Sequence, residues 1–166
     1  MTDRLAILSG VDTSAEPRWL SAAELHTWRS LMVLLARLPA ALDVELQRDA
    51  ELSFLEYYVL AELSEAPGQR VRLSELAELT NAELSRMSHL LSRLEKRGLA
   101  HREPDPTNRR YTRAVLTEAG MAHLARAAPN HVAGVRRLLF DALDADDLRQ
   151  LDDVLDRVIA RIGQPD

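Results

Sequence analysis

The chain has 166 residues, 46% of them hydrophobic, and a net charge of −5, enough apolar material for one ordinary core or for a small lobe whose extra helices need a partner. It has no cysteine, which excludes disulfides, thiolate metal sites and thiol-based redox sensing. The longest uninterrupted apolar run, Leu31–Ala36, is far too short to span a bilayer, and the N-terminus does not read as a secretory signal, so a cytoplasmic protein without membrane contact is expected.

Residues 1–18 show no periodicity and are expected to form a flexible N-terminal arm. Leu20-Ser21-x-x-Glu24-Leu25 then combines a serine cap, a glutamate three positions later and flanking apolar residues, the pattern of a capping box with a hydrophobic staple. Leu25, Trp28, Met32, Leu35, Leu38 and Leu42 follow at three- and four-residue steps, so a long amphipathic helix is predicted, with a kink or break at Pro39. The same start signal at Leu52-Ser53-x-x-Glu56-Tyr57 opens a second helix that should stop before Pro67-Gly68. Arg70-Val71-Arg72 has room for a very short strand, and Ser74 is expected to cap a helix of barely two turns over Glu75–Leu79. After a break at Thr80-Asn81, a longer helix runs from Leu84 to Arg97 with Met87, Leu90, Leu91 and Leu94 as its inner stripe and Gly98 just past its end.

Leu99–Glu103 and Tyr111–Leu116 are strand-like and flank PDPTNRR, a loop rich in turn formers, which together read as a β-hairpin. Helical periodicity resumes at Thr117 and continues through Leu139. A last helix, capped by Asp144, carries Leu148, Leu151, Val154, Leu155, Val158, Ile159 and Ile162 and should end at Gly163.

The order helix, helix, tiny strand, short helix, longer helix, β-hairpin, helix, helix defines the expected fold: mostly α, a winged helix-turn-helix with long flanking dimerisation helices. The winged lobe is placed at 53–116 and the dimerisation helices at 19–50 and 117–163. Their apolar stripes exceed what so small a lobe can cover, so a homodimer is predicted.

Charge is unevenly spread. From Ser85 to Arg113, Arg86, Arg93, Lys96, Arg97, Arg102, Arg109, Arg110 and Arg113 oppose only Glu95, Glu103 and Asp105, a net of +5 that leaves −10 on the remainder. Such a block on an acidic protein is the electrostatic footprint of a DNA-contacting element. Burying the stripe of the longer helix leaves Ser85, Arg86, Ser88, His89, Ser92, Arg93 and Lys96 outward, where they can face a major groove, the serines near its start short enough to let the backbone approach phosphates. At the hairpin tip Asn108, Arg109 and Arg110 are candidate contacts, Arg110 for the adjacent minor groove and Arg109 for a phosphate.

Leu73–Gly120, reading LSELAELTNAELSRMSHLLSRLEKRGLAHREPDPTNRRYTRAVLTEAG, resembles the DNA-binding lobe of multiple-antibiotic-resistance regulator (MarR) type proteins, and the likeness extends more loosely over Trp19–Ile162. The resemblance implies an obligate homodimer whose two lobes read a pseudo-palindromic operator in double-stranded DNA, most simply as a ligand-responsive repressor. It assigns base reading to Ser85, Arg86, Ser88 and His89 and the wing-tip role to Arg110. It also implies a small aromatic or anionic ligand between dimerisation helices and DNA lobe, for which Trp19, His26, Trp28, Met32, Tyr57 and Tyr58 are the candidate lining. Two positions depart from the family pattern: Asn108 stands where an aspartate often braces the wing arginine, and Glu83 where a serine often caps the recognition helix, leaving Asn81 as the better cap.

Competing classes are a winged-helix module for protein contacts, which the basic face disfavours, and a DNA-binding regulator without a small-molecule ligand. No enzyme, cofactor or metal is expected. There is no glycine-rich phosphate loop or HExxH motif, and the five histidines lack ligand-like spacing with carboxylates.

Overall fold

A computed structural model of the chain describes residues 17–162. The expected N-terminal arm falls almost wholly outside the described residues, as does Gly163. The chain divides into two compact units, one ending at Leu35 and one beginning at Ala36. The described residues comprise α1 (Ala22–Ala50), α2 (Phe54–Glu65), β1 (Arg70–Arg72), α3 (Leu73–Leu79), α4 (Leu84–Lys96), β2 (Ala100–Pro104), β3 (Thr112–Leu116), α5 (Glu118–Leu138) and α6 (Ala145–Ile162). Three short strands form one antiparallel sheet in the order β1-β3-β2.

Local chemistry explains most helix boundaries. Ser21 and Glu24 exchange the two bonds of a capping box at the start of α1, with Glu24 Oε2 accepting from Ser21 N at 2.7 Å. Ser53 and Glu56 do the same for α2, and the Asp144 carboxylate accepts from the backbone of Asp146 and Asp147, both at 2.8 Å, at the start of α6. Thr117 is the cap of α5 rather than its first turn, its hydroxyl oxygen accepting from Gly120 N at 2.9 Å.

Three expectations are corrected. Pro39 does not break α1, which is assigned as one helix through it. Ser74 does not cap α3: β1 passes straight into the helix, so the cap position falls on Arg72, whose backbone is still extended and whose side chain is engaged elsewhere. Asn81 does not cap α4 either, because it adopts the left-handed conformation (φ 47°) that turns the chain between the two helices, and Glu83 occupies the cap position without a capping bond.

The core lies beneath the helix-turn-helix. Leu60 and Leu63 of α2, Leu76 of α3 and Met87, Leu90, Leu91 and Leu94 of α4 are almost completely buried, joined by Leu99, Ala114 and Leu116 from the sheet region. Each fully buried leucine contributes about 2 kcal/mol, so α4 is anchored along its whole inner stripe and its opposite face is left for contacts. By contrast α6 has no buried residue, and Val154, Leu155, Val158, Ile159 and Ile162 are exposed. In the N-terminal unit, Trp19, Leu25, Trp28 and Met32 are likewise exposed.

Candidate nucleic-acid interface

Helix α4 and the β2–β3 loop present the residues singled out by the sequence. Ser85, Arg86, His89, Arg93 and Lys96 are exposed on α4, and Asn108, Arg109 and Arg110 are exposed at the hairpin tip. Ser88 is not fully outward. It is half-buried, and its carbonyl and hydroxyl oxygens accept from Arg102 Nη2 of β2 at 2.6 and 3.3 Å.

The basic block is partly consumed inside the lobe. Arg93 Nε donates to the buried Glu56 Oε1 at 2.9 Å, tying α4 to the capping box of α2. Arg102 pairs with Glu95 and also donates to Ser92 Oγ at 3.1 Å, bracing β2 against α4. Arg97 Nη1 donates to the Glu51 carbonyl at 2.8 Å. Arg113 Nε donates to Asp105 at 2.9 Å. Among the described residues, Arg86, Lys96, Arg109 and Arg110 make no such bond or ion pair, so the charge offered to an external anion is narrower than the count along the chain.

Two acidic residues organise this region, and sequence reasoning missed both as functional. Burial would push the Glu56 carboxyl up, but the Ser53 backbone and side-chain hydrogen bonds and the Arg93 guanidinium outweigh it and hold Glu56 below the ordinary glutamate value. Asp105 is held well below the usual carboxylate range, foremost by the Thr107 hydroxyl and then by Arg72. For Asp105 the available signal was an acid within an otherwise basic stretch, since such a residue is usually an internal partner; Glu56 carried only its capping-box position. Asn108 braces the wing through the backbone, its Oδ1 accepting from Arg110 N at 3.1 Å. Glu83 accepts only a long bond from Ser85 Oγ, 3.4 Å.

A cavity of about 740 Å³ opens beside α4. Its wall comes from Pro39, Ala40 and Asp43 of α1, from Ser53 at the cap of α2 with Phe54 and Leu55, and from Ser85, Arg86, His89, Leu90 and Arg93. None of the six residues proposed from sequence as ligand lining contributes to it. His26 and the exposed Trp19, Trp28 and Met32 belong to the N-terminal unit. Tyr57 packs on His131 with ring centroids 4.2 Å apart, and Tyr58 is exposed on α2.

A helix-turn-helix whose longer helix is anchored on one face and bare on the other, followed by an arginine-tipped hairpin, defines a winged helix-turn-helix protein. The MarR family model matches residues 50–110. Sco3205, a MarR family transcriptional regulator from Streptomyces coelicolor solved in complex with DNA, is 41% identical with a TM-score of 0.84, over 90% of this chain and 93% of Sco3205. AbsC, a MarR family regulator from the same organism, is 38% identical with a TM-score of 0.82, over 89% of this chain and all of AbsC. The transcriptional regulator HosA of Escherichia coli O111:H- is 39% identical over 80 residues, 48% of this chain and 57% of HosA, so the match spans little more than half of that relative. The chain belongs to the MarR family, a family of transcriptional regulators and not of enzymes. No helix among the described residues is long and apolar enough to cross a membrane.

Proposed function

We propose that the chain is a sequence-specific regulator that binds double-stranded DNA as a homodimer, acting in the cytoplasm as a ligand-responsive repressor. The observation that carries the DNA reading is the bare outer face of α4, with Ser85, Arg86 and His89, aligned in one lobe with a wing whose exposed Arg109 and Arg110 side chains have no ion-pair partner among the described residues. A relative 41% identical over nine-tenths of the chain was solved with DNA bound. Base edges would be read from α4, with Ser88 braced by Arg102 and Arg93 tied to Glu56, and the wing arginines would follow the backbone or the minor groove.

The homodimer reading rests on α6, an 18-residue helix that buries nothing, and on the exposed apolar residues of the N-terminal unit. A contiguous apolar face of that length is normally covered. The lobe at 53–116 would then be carried by paired helices from 19–50 and 117–163. Two recognition helices about 34 Å apart suit a pseudo-palindrome.

Ligand control is supported by the cavity beside α4. Arg86 gives its wall a free guanidinium and His89 a hydrogen-bonding ring, a side suited to a small anionic, often aromatic, molecule. Because Arg86 and His89 also belong to the outward face, an anion seated there would draw on groups that the DNA needs, which supplies the differential affinity that release requires.

The test is duplex selection from a random library at low salt, followed by titration of the selected site against salt. Affinity should fall steeply with ionic strength, and sedimentation should give twice the chain mass. Absence of binding at low salt would refute the DNA reading.

A further inference from the structure

The wing holds a carboxylate for which surface charge alone gives no reason. Asp105 opens an exposed loop, yet its side chain is completely buried. Its two oxygens serve different parts of the structure. Oδ1 accepts from the loop: Thr107 N at 2.8 Å, Thr107 Oγ1 at 2.6 Å and, more weakly, Asn108 N at 3.4 Å. Oδ2 accepts from the sheet: Arg72 Nε of β1 at 2.6 Å and Arg113 Nε of β3 at 2.9 Å. Arg72 and Arg113 are direct partners in the β1–β3 register, so the carboxylate sits over one rung of the ladder.

The loop beyond is built on this anchor. The Thr107 hydroxyl that donates to Asp105 accepts from Arg72 Nη2 at 3.2 Å. Asp105 N donates to the Tyr111 carbonyl and Tyr111 N to the Asn108 carbonyl, each at 2.9 Å, while Asn108 Oδ1 holds Arg110 N. Arg109 and Arg110 project from the end of this chain of bonds. Among the described residues, Asp105 is the only acidic group that ties this loop to the sheet, alongside the Arg72 guanidinium that reaches the Thr107 hydroxyl.

We propose that Asp105 is the positioning residue of the interface: a single carboxylate, divided between sheet and loop, holds Arg109 and Arg110 where they engage the duplex. The proposal rests on the DNA-binding reading above. It predicts a sign opposite to simple electrostatics. Removing one negative charge from among Arg72, Arg109, Arg110 and Arg113 should strengthen attraction to phosphates if position did not matter. Asparagine cannot replace the carboxylate, since one of its two ends donates, facing either two guanidinium groups or the loop N–H groups.

Asp105→Asn is therefore expected to weaken binding to the selected duplex by about tenfold or more and to reduce the magnitude of the log–log salt slope by about 4, as two arginine contacts are lost from each of the two lobes. Combined replacement of Arg109 and Arg110 by alanine should cost the natural chain dearly and the Asp105→Asn background little. Binding as tight as the natural chain's, or an undiminished cost of the arginine substitutions, would overturn the proposal. Amide exchange in DNA-free protein supplies an independent readout. Thr107 and Asn108 should exchange faster in Asp105→Asn while Leu90 and Leu94 stay protected, and unchanged loop exchange would also overturn it. If the natural chain bound no duplex, the DNA reading would fail while the exchange measurement still judged the anchor. Should Asp105→Asn not fold, Thr107→Val removes the two bonds of the hydroxyl, to Asp105 and from Arg72, and leaves Arg72 and Arg113 paired with the carboxylate. It should weaken binding in the same direction, and unaltered binding would count against the anchor.

Discussion

Replacing Glu56 by alanine separates two jobs that one carboxylate performs. Oε2 accepts from Ser53 N at 2.9 Å, the reciprocal bond of the α2 capping box, and Oε1 accepts from Arg93 Nε at 2.9 Å. Losing the first leaves a helix-start N–H without an acceptor and should cost about 1 kcal/mol. The second is a charge-assisted bond to a guanidinium that is 57% exposed, so solvent competes and about 1 kcal/mol is again appropriate. The sum, about 2 kcal/mol, corresponds to a urea midpoint lower by about 1 M at a slope of about 2 kcal/mol per M, measured at fixed protomer concentration because dimerisation contributes to apparent stability. Glu56→Gln keeps an acceptor for Ser53 and should lose about half as much. Arg93→Ala should cost about 1 kcal/mol in the natural chain and almost nothing in Glu56→Ala. A loss below about 0.5 kcal/mol for Glu56→Ala, or equal losses for the alanine and glutamine variants, would refute this division.

Gly120→Ala tests the crossing of α5 over the start of the hairpin. A Cβ there would drive into the Leu99 carbonyl oxygen and lie 2.8 Å from Leu116 Cδ1; the clash is with backbone, so the ~1 kcal/mol gained in helix propensity should be outweighed by a net loss of about 2 kcal/mol or more in chemical denaturation. Glu83→Ala removes a carboxylate from the tip of α4 that caps nothing, so duplex affinity should rise without a change in stability, as a gel-shift titration with parallel melting would show. Ile159→Arg on the exposed stripe of α6 should shift sedimentation towards the single chain while each lobe keeps its circular dichroism; an unchanged mass would place the dimer contact elsewhere.

What was legible in the sequence was whatever depends on near neighbours. Ser21 with Glu24 and Ser53 with Glu56 close their boxes over three residues, and Met87, Leu90, Leu91 and Leu94 declare the inner face of α4 by spacing alone. The wing was readable from its turn formers and its arginines. What escaped was pairing at a distance: Arg72 with Asp105 across 33 residues and Arg93 with Glu56 across 37. A count of charges along the chain treats such residues as surface cations, whereas folding neutralises them. Serine favours the cap position, which points to Ser74, but the strand feeding directly into α3 puts the boundary two residues earlier, at Arg72.

The same internal acids and one half-buried histidine make stability pH-dependent in a definite direction. Glu56 and Asp105 have folded-state pKa values below their unfolded ones, so their stabilisation is complete above the unfolded values and is lost as pH falls through the folded ones. His131 acts at higher pH. Its ring packs on Tyr57 and Phe54, its Nδ1 is buried without a partner among the described residues, and burial lowers its pKa from 6.5 despite the opposing charge of Glu45. Below that value the unfolded chain takes up a proton that the folded chain resists, so stability should already decline as pH drops from 6.5 towards the folded pKa. His131→Phe should flatten this upper part of the urea midpoint against pH curve and leave the carboxylate part intact. If the variant keeps the natural slope just below pH 6.5, the packing of α5 on α2 does not depend on a neutral imidazole, and the acid sensitivity belongs to Glu56 and Asp105 alone.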